Sequence, residues 1–296
     1  MMNARVSSWT DGEVPATLRA SQLLEWGTSR LHEVGVETAL LDARLLLQHA
    51  LGLAREDLLR TDVSVSDSAI ALYDALIARR IKREPVAKIR GCRGFWKHDF
   101  IVSAATLDPR PDSEILLEAA LSYRSPEQVR TLLDLGTGTG CLLLSLLGEY
   151  ENAHGVGVDI SEEALKVARE NSHRLGMESR AVFQVSDWCD QIDGVFDLIL
   201  CNPPYIAESD AETLMPEVRR HDPFIALFGG EDGLHAYRTL LPQAKRHMEK
   251  NGLMLVEIGA GQAESVSSLA LEAGLRVVGQ RPDLAGIPRV LILQPN

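Results

Sequence analysis

The segment Thr131-Leu132-Leu133-Asp134-Leu135-Gly136-Thr137-Gly138-Thr139-Gly140 decides how the rest of the chain is read. Its first half is a short apolar run, the length of a buried strand. Its second half has glycine at every other position and leads into the apolar, helix-spaced stretch Cys141–Leu147. Glycines let a backbone turn sharply and let a ligand come close to the main chain at a helix N-terminus. The spacing is G-x-G-x-G. The dinucleotide fingerprint G-x-G-x-x-G needs glycine at 141, where Cys141 stands. A second strand-like run, Gly155–Asp159, ends in an acid about twenty residues on, where α/β folds set a carboxylate against ribose hydroxyls. Strand, glycine turn, helix and acid-tipped strand together predict a nucleoside site at Gly136, Thr137, Gly138, Thr139, Gly140 and Asp159. No P-loop lysine comes after the turn, so a nucleoside without a triphosphate fits.

Further downstream, strand-like runs at Ala181–Val185, Phe196–Cys201, Leu253–Ile258, Arg276–Gly279 and Val290–Gln294 alternate with helical patterns at Glu162–Leu175, Leu234–Met248 and Gln262–Ala273. That alternation predicts a mostly parallel, doubly wound α/β sheet. The loop after Val185 carries Ser186-Asp187-Trp188. Asp187 can bond an adenine amino group and Trp188 can pack on the base; a helix cap and a core tryptophan are the plain alternatives. The run Phe196–Cys201 delivers Asn202-Pro203-Pro204-Tyr205 to the same crevice. Two successive prolines stop the strand and stiffen the turn. Asn202 and the nearby carbonyls can accept hydrogen bonds from both protons of an –NH2 group, and the Tyr205 ring can cover the flat group that carries it. The turn reads as a seat for a planar amide or amino nitrogen.

Upstream, residues from Ala16 to about Lys82 follow a helical pattern. Gly35 and Gly52 are expected stops, Ser66 an expected cap, and a short piece lies near Glu56–Leu59. Met1–Val14 reads as a loose tail. After Pro85, alternation around glycines from Ala87 to Val102 predicts a β-hairpin linking two domains. The loop Asp108-Pro109-Arg110-Pro111-Asp112-Ser113-Glu114 then leads into a helix from about Ser113 to Leu121. Its two prolines flanking an arginine suggest a rigid, purposeful loop; a simple helix start with Asp112 or Ser113 as cap is the plain alternative.

The 296 residues carry a net charge of −12, which disfavours binding nucleic acid mainly through phosphates. The four cysteines have no C-x-x-C spacing and the eight histidines no H-x-x-x-H pair, so no metal site is expected and the thiols read as free and buried. No apolar run reaches the length of a membrane span.

The turn residues resemble those of the S-adenosylmethionine-dependent methyltransferases with an [N/D]-P-P-[Y/F/W] motif. The resemblance narrows with Gly91-Cys92-Arg93-Gly94-Phe95-Trp96, the Asp108–Glu114 loop, His221-Asp222-Pro223, Ala226-Leu227-Phe228-Gly229-Gly230-Glu231-Asp232-Gly233-Leu234 and Glu257-Ile258-Gly259. These are similar to the HemK family, the protein-(glutamine-N5) methyltransferases of peptide chain release factors. Gly94 stands where that family usually has Glu, and Asp112-Ser113 replaces the commoner Glu-Thr. The resemblance implies a Rossmann-like class I methyltransferase sheet over 111–296, with a small helical substrate-binding domain over 1–85 (1–15 a loose tail) and a β-hairpin linker over 86–110. It implies S-adenosyl-L-methionine bound at Gly136–Gly140, Asp159, Asp187, Trp188 and Asn202. It implies a substrate glutamine held by Asn202, Pro203, Pro204 and Tyr205, with Asn202, Pro203 and Tyr205 catalytic, and it puts Phe100 on the methyl-transfer cavity. The target is the Gly-Gly-Gln loop of class I release factors, met by a cytoplasmic monomer that binds neither membrane nor nucleic acid directly. A nucleic-acid methyltransferase acting on adenine N6 or guanine N2 is the alternative that shares the tetrapeptide.

Overall fold

The computed structural model describes residues 19–53 and 65–296; the expected tail and the short piece near Glu56–Leu59 lie outside them. The chain forms two compact units, one ending at Arg90 and the other beginning at Gly91.

The first unit contains helices α1 (Ala20–Glu33), α2 (Ala39–Leu51), α3 (Asp67–Ile81) and the short α4 (Val86–Arg90). Their apolar faces close over Leu23, Trp26, Leu31, Leu46, Leu47, Tyr73 and Ile77. Gly27 is required where α1 meets α3, because a Cβ there would lie 2.0 Å from the Tyr73 hydroxyl. α2 stops at Gly52 in the left-handed conformation, and the Ser66 hydroxyl accepts from the Ala69 amide to start α3. The region after Pro85 differs from expectation: Val86–Arg90 is helical, and strand pairing starts only at Cys92. Proline suits a helix start as well as it ends one, and the Pro85 carbonyl accepts from the Ile89 amide. Ala87 and Ile89 are thereby buried.

The second unit opens with the hairpin β1 (Cys92–Phe95) and β2 (His98–Ile101). The remaining strands, β3 (Thr131–Leu135), β4 (His154–Asp159), β5 (Ala181–Val185), β6 (Phe196–Cys201), β7 (Met248–Glu257), β8 (Leu275–Pro282) and β9 (Pro288–Pro295), form one sheet in the order β5-β4-β3-β6-β7-β9-β8. Pairs from β5 through β7 are parallel; β9 runs antiparallel to both β7 and β8. Each central strand buries both faces in alternation. Leu132, Leu198, Leu200, Leu253 and Leu255 join one core with helices α5 (Glu114–Tyr123), α6 (Cys141–Glu149) and α7 (Glu162–Arg174). Leu133, Leu135, Ile199, Cys201, Met254 and Val256 join the other, under α9 (His235–Arg246) and α10 (Ala263–Glu272). A short α8 (Pro216–His221) lies in the long loop after β6.

All four cysteines are free; Cys141, Cys189 and Cys201 are buried, whereas Cys92 is half-buried. Among the described residues no helix is long and apolar enough to cross a membrane.

Candidate active site

The direction of strand succession reverses at β3, which has β4 on one side and β6 on the other. In open α/β sheets the crevice at such a switch point takes the ligand. Leu135 is paired with Cys201, so Gly136 and Asn202 leave adjacent strand ends side by side.

The glycine turn is built from main chain. Gly136, Gly138 and Gly140 have φ of 71°, 54° and 79°, a region that any side chain would strain. The Thr137 amide donates to the Val158 carbonyl, and the Thr137 hydroxyl to Asp134 Oδ2 at 2.6 Å. Asp159 accepts from the Gly138 amide through Oδ2 (3.0 Å) and from the Ser161 amide through Oδ1 (2.9 Å). Each carboxylate oxygen keeps a second lone pair for a ligand hydroxyl. Burial raises the Asp159 pKa against these amide contacts. Asn171 of α7 accepts from the Ile101 amide and donates to the Ile101 and Thr139 carbonyls, tying β2 to the turn. Trp188 holds a left-handed conformation (φ 50°), and its ring edge lies 3.8 Å from where a Gly136 side chain would begin. Asp187 stands exposed beside it.

The donor set fits a nucleoside carrying a sulfonium. Glycines leave room along the turn, an acid stands where ribose hydroxyls would lie, and Asp134 is fully buried nearby. Asp134 Oδ1 has no hydrogen-bond partner among the described residues, and burial pushes the pKa up to about 7. Among the described residues no three His, Cys, Asp or Glu are gathered to hold a metal.

The second half of the site is built from side chains. Asn202 Nδ2 donates to Ser113 Oγ at 2.9 Å, which leaves Oδ1 to accept. Ser113 Oγ donates to Glu257 Oε2 at 2.7 Å, and Tyr205 Oη donates to Glu257 Oε1 at 3.1 Å. The Tyr237 hydroxyl donates to the Glu257 main-chain carbonyl. Gln262 donates to the Tyr205 carbonyl and accepts from the Gly259 amide. The loop 227–234 packs on the tetrapeptide so closely that a Cβ at Gly229 would lie 2.6 Å from the Pro204 carbonyl, and one at Gly233 2.4 Å from that of Tyr205. Burial and the neighbouring Glu257 raise the Tyr205 hydroxyl pKa well above its usual range. Arg110 pairs with buried Asp222 at 2.7 Å, fastening the Pro-Arg-Pro loop to the segment after α8.

Three residues differ from their sequence reading. Ser113 makes no cap hydrogen bond; its hydroxyl turns to Glu257 instead. Glu257 has no separate role in that reading, although an acid ending the apolar run Leu253–Val256 is itself a signal, since a charge on a buried strand end needs partners. Phe100 is wholly buried, edge-on to Phe95 in the core, and presents no surface to a cavity.

Residues 22–91 match the family described as the PrmC N-terminal domain, and residues 126–264 match a methyltransferase domain. The chain is 46% identical over 279 residues to the release factor glutamine methyltransferase of Rhodospirillum rubrum, covering 94% of this chain and 85% of that one. It is 44% identical over 278 residues to the protein of the same name from Cereibacter sphaeroides, covering 93% and 98%. Among solved structures, a methyltransferase from Pyrococcus furiosus shares the fold with a TM-score of 0.52 at 19% identity, over 73% of this chain and 95% of that one.

Proposed function

The chain belongs to the release factor glutamine methyltransferases, and from that premise we propose a residue-level account of how it methylates the glutamine of the Gly-Gly-Gln loop of class I peptide chain release factors. S-adenosyl-L-methionine supplies an electrophilic methyl on a sulfonium. Gly136, Thr137, Gly138, Thr139 and Gly140 admit the nucleoside, Asp159 accepts from its ribose, and Asp187 and Trp188 bind its base. Asn202, Pro203, Pro204 and Tyr205 hold the substrate carboxamide.

The observation that carries this reading is the tethering of Asn202, whose Nδ2 is held by Ser113 so that Oδ1 is the end available to a substrate NH2. An amide nitrogen is a poor nucleophile because its lone pair is delocalised into the carbonyl. Asn202 Oδ1 and the Pro203 carbonyl accept its two protons, favour partial pyramidalisation and turn the lone pair toward the methyl. Alignment of this kind lowers the barrier by positioning alone. Methyl transfer would leave positive charge on the nitrogen and S-adenosylhomocysteine as the leaving group. Asn202 Oδ1 and the Pro203 carbonyl would hold the surplus N–H proton by hydrogen bonds until water takes it on opening of the site. Acceptors therefore suit the site better than a strong base. Tyr205 covers the amide and excludes water.

The helical first unit recognises the body of the release factor, and the enzyme acts as a cytoplasmic monomer without nucleic acid. Removing that unit weakens methylation of the whole release factor more than of a short Gly-Gly-Gln peptide; equal losses would count against it. The reading as a whole is tested by incubation with labelled cofactor and a release factor, wild type or with its loop glutamine replaced. Label enters the first and not the second. Label in RNA or DNA, with none in the release factor, would reverse the assignment.

A further inference from the structure

The two ends of the Asn202 amide are similar in size and opposite in polarity, and one of them alone accepts from a substrate NH2. What decides which end faces the substrate lies outside the tetrapeptide. Glu257, at the end of β7, is 2% exposed, with Oε2 facing Ser113 and Oε1 facing Tyr205. An ionised carboxylate has no proton to give, so both hydroxyls must direct theirs to it. With its one proton directed at Glu257, Ser113 Oγ meets Asn202 as an acceptor and receives Nδ2–H.

We propose that Glu257, acting through Ser113, sets the polarity of the Asn202 amide, so that its oxygen and not its NH2 faces the substrate nitrogen. The proposal rests on the role of Asn202 in holding the substrate carboxamide. Ser113 and Glu257 are positioning residues in it. Protonation of Glu257 lets the relay reverse: the carboxylic proton turns to Ser113 Oγ, the serine proton turns to Asn202, and the amide rotates to present NH2 to NH2.

Glu257 is poised for that reversal. Burial lifts its pKa to about 7; the Ser113 and Tyr205 hydroxyls and the Arg289 charge lower it, and Asp112 raises it. The other groups that face it, Tyr237 on α9 and Cys201 on β6, are themselves held neutral by burial.

The test compares Ser113→Thr, which keeps a hydroxyl, with Ser113→Val, which has the shape of threonine and none. Binding of a Gly-Gly-Gln peptide is measured by calorimetry without cofactor, and single-turnover methylation of a release factor with it. Ser113→Val is expected to weaken peptide binding and slow methylation by about tenfold or more, as for loss of a buried hydrogen bond. Ser113→Thr stays within a few-fold of wild type, and the two variants melt within a few degrees of each other. The wild-type rate is expected to fall as pH drops below about 7. Glu257→Gln is expected to lose the Glu257 share of that acid limb, with Asp134, which burial also raises to about 7, accounting for whatever remains. Equal behaviour of the valine and threonine variants, or an unchanged acid limb in Glu257→Gln, overturns the relay. Full activity in Asn202→Ala overturns the Asn202 reading and the relay together. An inactive Asn202→Ala with a fully active Ser113→Val overturns the relay alone.

Discussion

The two strand ends that frame the crevice are built in opposite ways. The turn after β3 is a main-chain device: three glycines with positive φ, and the Gly138 amide donating to Asp159 across 21 residues. The turn after β6 depends on side chains from three distant places, with Asn202 reaching Ser113 across 89 residues and Ser113 reaching Glu257 across 144. In the proposed function the first arrangement admits a ligand by leaving space, and the second orients one, which needs hydrogen bonds of defined polarity. Damage at the first end should therefore appear in cofactor affinity, and damage at the second in the rate of the bound complex.

The largest effect is expected at the second end. Asn202→Ala should slow single-turnover methylation at saturating cofactor by on the order of a hundredfold or more, as when an aligned transition-state hydrogen bond is removed, a loss larger than any in cofactor affinity from its expected contact there. If the loss appears in affinity instead, the division between the two ends fails. At the first end, Gly138→Val forces a β-branched residue to a φ of 54° and should cost about 1–3 kcal/mol of backbone strain. Calorimetry should show the cofactor Kd raised about tenfold or more, with the rate at saturation largely kept.

Tyr205→Phe sharpens the comparison further. It keeps the ring and removes one donor to Glu257, so it should lower stability by about 1–3 kcal/mol in denaturant melts and slow the reaction a few-fold. The smallest effect concerns pH. The folded pKa values of Asp134 and Glu257 are raised to about 7, above the ordinary 3.8 and 4.5. The folded state thus holds more protons than the unfolded one between those values, and stability falls as pH rises through the interval and levels above it. Glu257→Gln removes one of these contributions, so its melting temperature should gain on that of wild type between pH 5 and 8. A constant difference would mean that Glu257 titrates normally.

The same contrast explains what can be read from the sequence. The strands around the crevice are legible because their burial on both faces requires continuous apolar runs, and the turn Gly136–Gly140 because its conformation is local to the backbone. The short helix Val86–Arg90 is not legible: five residues are too few to show a period, and the neighbouring glycines suggest strands. Ser113 reads as a cap because serine before a helix usually is one; its hydroxyl bonds a residue that sequence distance hides. Phe100 lies in the core, as aromatic residues on buried strands commonly do.

The most direct measurement is a crystal structure of the enzyme with S-adenosylhomocysteine and a Gly-Gly-Gln peptide, read at one distance. The account predicts Asn202 Oδ1 about 2.7–3.2 Å from the glutamine side-chain nitrogen, with Nδ2 still on Ser113. A glutamine amide bound away from Asn202, or Nδ2 turned toward the substrate, would contradict it.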